Sequence, residues 1–220
     1  MKKDRGGKPR FLPQSFWLWT GASAGGAWAG AHLALSLFPL GGFGRNPTGQ
    51  FGWYLVGFAL TIGLCYATAQ FLVLLHVARL SGTQSSKVLL LWVPATALGI
   101  AWSIFPLWWI DAWALTLGWL AVFVPMLPGF IVLGMTQWGV LHWAIGMGRD
   151  WLATTIVGAA IGSVAGLAAA LVIYFYMPGN ISTLLPPETI WAVVMGGCIA
   201  AFQGQKLIPR LRGEQPRDPE

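Results

Sequence analysis

The 220-residue sequence predicts an all-α, polytopic membrane protein: six transmembrane helices arranged as three tandem helical hairpins with a pseudo-threefold internal repeat. Three observations carry that expectation. Hydrophobic residues make up 56% of the chain and charged residues only 9%, with a mean hydropathy of +0.64, against about 25% charged in soluble domains. Six apolar stretches reach the length of about 20 residues that crosses hydrocarbon. The even-numbered stretches also copy one another around Gln70, Gln137 and Gln203. This composition excludes a soluble enzyme, a disordered chain and a disulfide-rich secreted domain.

A basic cytoplasmic tail is expected over 1–16, a six-helix transmembrane domain over 17–207 with repeats of about 17–75, 88–141 and 152–207, and a polar cytoplasmic tail over 208–220. The first span, 17–40, follows the segment MKKDRGGKPR and resembles a secretory leader. Its apolar run of about 24 residues is far longer than the 7–15 of a leader's core, so a retained helix is expected. The second span is 53–75 and the third 88–109. Between 108 and 128, Trp108, Trp109, Trp113 and Trp119 fit either a short helix in the headgroup layer or an extended fourth span. That fourth span is 120–141, with Pro125 and Pro128 as its interruptions; the fifth is 152–177, and the sixth, 189–207, starts after Pro186, Pro187 and Glu188. A carboxylate at that position favours a helix start through the helix dipole.

Charge gives orientation. Between 17 and 207 the only charged residues are Arg45, Arg79, Lys87, Asp111, Arg149, Asp150, Glu188 and Lys206. With both termini cytoplasmic, Arg45 is the single basic residue outside, as the bias of Lys and Arg toward the cytoplasm requires. The net charge of +6 is therefore a topology signal and does not form a nucleic-acid patch. The expected location is the inner (plasma) membrane, with the lipid bilayer as first partner.

In the second, fourth and sixth spans, Gly63, Ala67, Gln70 and Leu74 align with Phe130, Gly134, Gln137 and Leu141, and with Gly196, Ala200, Gln203 and Leu207. Offsets of −7, −3 and +4 share one helical face. The odd spans carry a fainter echo: Trp17, Trp92 and Trp151, then Thr20, Ala95 and Thr154, then Ala24, Gly99 and Gly158. The stretch Gly134-Met-Thr-Gln137-Trp138-Gly-Val-Leu141, with its partial copies, resembles a loose group of bacterial polytopic proteins built of hairpins with recurrent Gln-Trp-x-x-Leu motifs. Phe71 and Gly204 stand in place of Trp138 in the other copies. The resemblance implies a repeated helical fold and no activity.

The glutamines form the candidate polar cluster, either as interhelical glue or as the lining of a shallow pocket opening to the cytoplasm. Gly26-x3-Gly30 and Gly21-x3-Gly25 on the first span, and Gly158-x3-Gly162-x3-Gly166 on the fifth, are small-residue faces that let helices approach closely. Histidine pairs on adjacent helices can ligate haem or chlorophyll, but His76 and His142 fall at the cytoplasmic interface and His32 has no partner at its depth. Cys65 and Cys198, each five residues before a glutamine, fit small apolar fillers better than a redox pair. Ligand density for a metal is lacking, no cofactor is expected, and no acid–base or nucleophile pair points to an enzyme. Most tryptophans fit interfacial anchors. The expectation is a non-catalytic accessory or structural subunit that binds lipid, another membrane protein or a second copy of itself. The alternative is a small permease for an uncharged molecule using the glutamines.

Overall fold

The computed structural model describes residues 14–38, 50–80, 90–104, 120–176 and 186–211. The expectations placed on the tails at 1–13 and 212–220, and on Arg45, Lys87, Asp111, Trp108, Trp109, Trp113 and Trp119, lie outside those residues, as do the side chains of Trp53, Arg79, Pro125 and Glu188. The described residues are all α: α1 (Gln14–Leu37), α2 (Gln50–Leu80), α3 (Trp92–Ile104), α4 (Leu120–Ile145), α5 (Asp150–Tyr176) and α6 (Pro187–Leu211). Two of them contain segments long and apolar enough to cross a membrane, Val56–Val77 and Asp150–Ile173.

Each helix packs on its neighbours in sequence, and α6 returns to α1, so the six close into a ring. Glycine makes the approaches close. A Cβ placed on Gly26 would sit 2.9 Å from Cys65 O, and one on Gly30 would sit 2.8 Å from Ile62 Cα. On the opposite side of the ring, Gly158 meets Ile199 Cα at 2.9 Å and Gly162 meets Met195 Cα at 2.8 Å. Residue numbers rise on one helix as they fall on the other, so the pairs are antiparallel. Because Ile62, Cys65 and Tyr66 precede Gln70 by the same intervals as Met195, Cys198 and Ile199 precede Gln203, the α1–α2 and α5–α6 seams are copies. The α3–α4 seam reverses the small residue: Ser103 stands where the others have Gly30 and Gly162, and it abuts Gly129.

Several helix limits differ from expectation. α6 continues through Pro209 to Leu211, because Ile208 and Leu211 are buried in the core. α1 begins at Gln14, with Ser15 and Phe16 already buried. α4 runs unbroken through Pro125 and Pro128. α4 ends where Gly146 takes φ 65°, and Gly146 N–H donates back to His142 O at 2.9 Å. An L side chain is disfavoured at that φ.

Candidate functional site

All three glutamines point into the ring and are fully buried. Each is held by a hydroxyl from the preceding helix. Gln70 Nε2 donates to Ser23 Oγ at 3.0 Å, Gln137 Nε2 to Thr96 Oγ1 at 3.1 Å, and Gln203 Nε2 to Thr155 Oγ1 at 2.9 Å. Gln203 Nε2 also donates to Gln137 Oε1 at 2.7 Å, joining the second and third repeats. The hydroxyls are themselves committed: Ser23 Oγ donates to Trp19 O at 2.8 Å and Thr155 Oγ1 to Trp151 O at 3.0 Å. Gln70 Oε1 and Gln203 Oε1 accept no hydrogen bond. The small residues at −3, Ala67, Gly134 and Ala200, and the leucines at +4 are buried with the glutamines.

Toward the end of the ring where α1 begins and α6 ends, the glutamine layer is covered. Trp19, Trp92 and Trp151 are fully buried, with ring centroids 6.0 Å (Trp19–Trp92) and 6.1 Å (Trp92–Trp151) apart in edge-to-face contact. Leu74, Leu141, Leu207, Phe16 and Met147 join them in one apolar cluster. An aromatic and leucine plug occupies the space past the glutamines at that end.

The plug also corrects the reading of the odd helices. Trp17 is 61% exposed and Trp19 fully buried, so the α1 register shifts by two residues. The pattern then becomes Trp, Ser/Thr at +4, Gly at +7 and a small residue at +11: Trp19, Ser23, Gly26, Gly30; Trp92, Thr96, Gly99, Ser103; Trp151, Thr155, Gly158, Gly162. Sequence reading missed the hydroxyls. Counting from Trp19, Trp92 and Trp151 places all three at +4. The same three tryptophans were expected at an interface and instead fill the ring.

No family model, curated protein or solved structure matches this chain.

The remaining candidates fall apart from the glutamine layer. Gly26, Gly30, Gly158, Gly162 and Gly166 pack inside the chain, the last against Trp191, whereas Gly21 and Gly25 face open space with nothing within 4 Å. Their face on α1 therefore makes no helix contact among the described residues. His32 Nδ1 donates to Trp28 O at 3.1 Å on its own helix, His142 Nδ1 donates to Met147 O at 3.1 Å, and His76 is exposed. Cys65 and Cys198 are free thiols in equivalent seams. No group of three or more His, Cys, Asp or Glu stands together among the described residues.

The second repeat carries one further tie. Trp138 Nε1 donates to Met147 O at 3.0 Å, and Arg210 donates to Gly146 O at 2.7 Å, fixing the turn between α4 and α5. Lys206 and Asp150 add an ion pair at 2.9 Å. Chemically, the layer is a set of neutral amides and hydroxyls. Both hydroxyl protons traced above go to helix carbonyls, so neither oxygen is activated by a base.

Proposed function

We propose that this chain crosses the inner membrane six times as three tandem hairpins, with both termini in the cytoplasm, and serves as a non-catalytic accessory or structural subunit. The observation that carries the reading is the placement of polarity. Gln70, Gln137, Gln203, Ser23, Thr96 and Thr155 are buried, while Leu18, Trp28, Leu33, Leu64, Leu72, Leu98, Val164 and Phe175 are exposed. Water would reverse that arrangement; lipid requires it, because polar groups must find partners inside the bundle. Length supports it for α5, whose 24-residue segment Asp150–Ile173 rises about 36 Å at 1.5 Å each, enough for a hydrocarbon core of about 30 Å. The internal hydrogen bonds support interhelical glue as the role of the glutamines. The plug beneath them argues against permeation, and the outward surface is left to lipid and membrane partners.

Two measurements test this reading. Reporters fused at Thr48 and Asn180 are expected to be active only outside the cytoplasm; activity inside would sink the topology. Native mass spectrometry of the protein extracted gently from its membrane is expected to find a stoichiometric protein or lipid partner. A lone chain carrying a water-soluble small molecule would instead return the permease reading.

A further inference from the structure

On the other side of the glutamines from the plug, the ring lines a partly open cavity of about 40 Å³. The repeat pattern explains it. One turn outward from the glutamines stand Tyr66, Leu133 and Ile199, and beyond them the three repeats no longer match in volume. At the −7 position the second repeat places Phe130 against Gly63 and Gly196. Across the α6–α1 seam the wall is made of Ala27, Ala192 and Gly196, which leave the space that Ile100, Phe130 and Met195 do not fill from the other sides.

The wall sets the chemistry. Two hydroxyls line the cavity, and the proton of each is already given to a backbone carbonyl: Tyr66 Oη donates to Gly196 O at 3.4 Å, and Ser103 Oγ donates to Ile100 O at 2.6 Å. Water in a cavity needs two to four polar partners, which this wall does not offer. Apolar cavities stay dry and take apolar guests. A cavity of about 40 Å³ has room for more than one water-sized group. We propose that this cavity is a binding site for a short hydrocarbon group. That chemistry has two sources in a membrane: the end of a lipid chain, or a small free apolar solute. The site rests on the bundle's ring and needs no particular topology, so it stands or falls separately from the six-span orientation tested by the reporters.

The test uses the full chain in lipid nanodiscs with its methionine methyls labelled with ¹³C. Met195 lines the cavity, Met147 is fully buried in the plug and Met135 is exposed on the outside, so site, core and surface are reported together. Xenon under pressure is expected to shift the Met195 methyl saturably and leave Met147 in place, while Met135 drifts in proportion to pressure. Magnetisation transfer from the lipid terminal methyls to Met195, reduced by xenon, identifies a lipid chain as occupant; a saturable xenon shift without that transfer identifies a free apolar solute. Ala192→Val fills the space and is expected to abolish both signals with the Met147 position unchanged. Ala27→Val, from the α1 side of the same seam, does the same should the first variant fold poorly. A Met195 methyl that responds no differently from Met147, or a saturable response that survives in both filled variants, overturns the proposal.

Discussion

Gln203→Leu and Gln70→Leu are the same edit in the repeat and different edits in the structure. Gln203 gives up two interhelical bonds, to Gln137 Oε1 and Thr155 Oγ1, and its removal leaves Gln137 Oε1 without that donor. Its own unpartnered Oε1 disappears at the same time, so the number of stranded acceptors is unchanged. At about 0.6 kcal/mol for each interhelical bond in a membrane bundle, the cost is about 1.2 kcal/mol. Gln70 gives up its bond to Ser23 Oγ and its contact with the Tyr66 hydroxyl, and removes a stranded Oε1. A buried unsatisfied acceptor costs about 1–3 kcal/mol, so losing it offsets the bond, and the variant is expected to be neutral or slightly more stable than the parent. The two variants should therefore differ by about 2 kcal/mol, roughly thirty-fold in the unfolding equilibrium. Reversible unfolding in mixed micelles with rising denaturing detergent reads that difference directly. Equal losses at the two positions, or a larger loss at Gln70, would refute the assignment of donors and acceptors in this layer.

Three further outcomes follow from the seams and the turn. Gly26→Ala pushes a methyl to 2.8 Å from Ala69 Cβ and is expected to cost about 1–3 kcal/mol by overpacking. Gly25→Ala meets nothing and should gain about 0.5–1 kcal/mol from helix propensity; the same unfolding titration separates the two. Trp138→Phe removes the bond to Met147 O and should cost about 1 kcal/mol, with faster amide exchange confined to the turn at 146–149. Lys206→Met breaks an ion pair whose partners are 43% and 40% exposed; the loss should stay under about 1 kcal/mol and shrink as salt rises.

The glutamine stripe was legible because its offsets fall on one helical face, and that face is buried in all three copies. The hydroxyls opposite it were not, because each sits on the preceding helix of its hairpin and the α1 register was read from Trp17 in place of Trp19, which hid Ser23. The odd-helix register failed for a local reason. Trp17-Leu18-Trp19 offers two tryptophans, and nothing within one helix says which faces inward. Indole is suited both to an interface and to edge-to-face packing, so Trp19, Trp92 and Trp151 could be sorted only once ring closure set them beside one another. The end of α6 was obscured by composition. Lys206, Pro209 and Arg210 suggest a tail, yet Ile208 and Leu211 pack inward while the two basic residues reach Asp150 and Gly146.

A threefold ring made from one chain joins its repeats covalently at two seams and leaves the third, α6 against α1, to packing alone. Symmetry has to break there, and α6 shows how. Gly196 faces Ala27 and Tyr66, Gly197 faces Ala24, and a Cβ on Gly204 would lie 3.0 Å from Trp19 Cδ1 and 3.1 Å from Phe16 Cδ2. The second repeat has Trp138 at the position of Gly204, where it reaches the α4–α5 turn. The closing seam instead needs that space for the start of α1. Gly204→Trp makes the third repeat more like the second and is expected to damage the protein. An indole there must displace the buried Phe16 and Trp19 and open the plug, at a cost of about 3 kcal/mol or more given the usual range for overpacking. Gly204→Ala, needing shifts of a few tenths of an ångström, should cost much less. The unfolding titration orders the variants, and protease accessibility at the start of α1 reports the seam itself. If Gly204→Trp unfolds at the parent's midpoint with α1 still protected, the ring is not closed by α6 on α1, and the threefold account of the core fails with it.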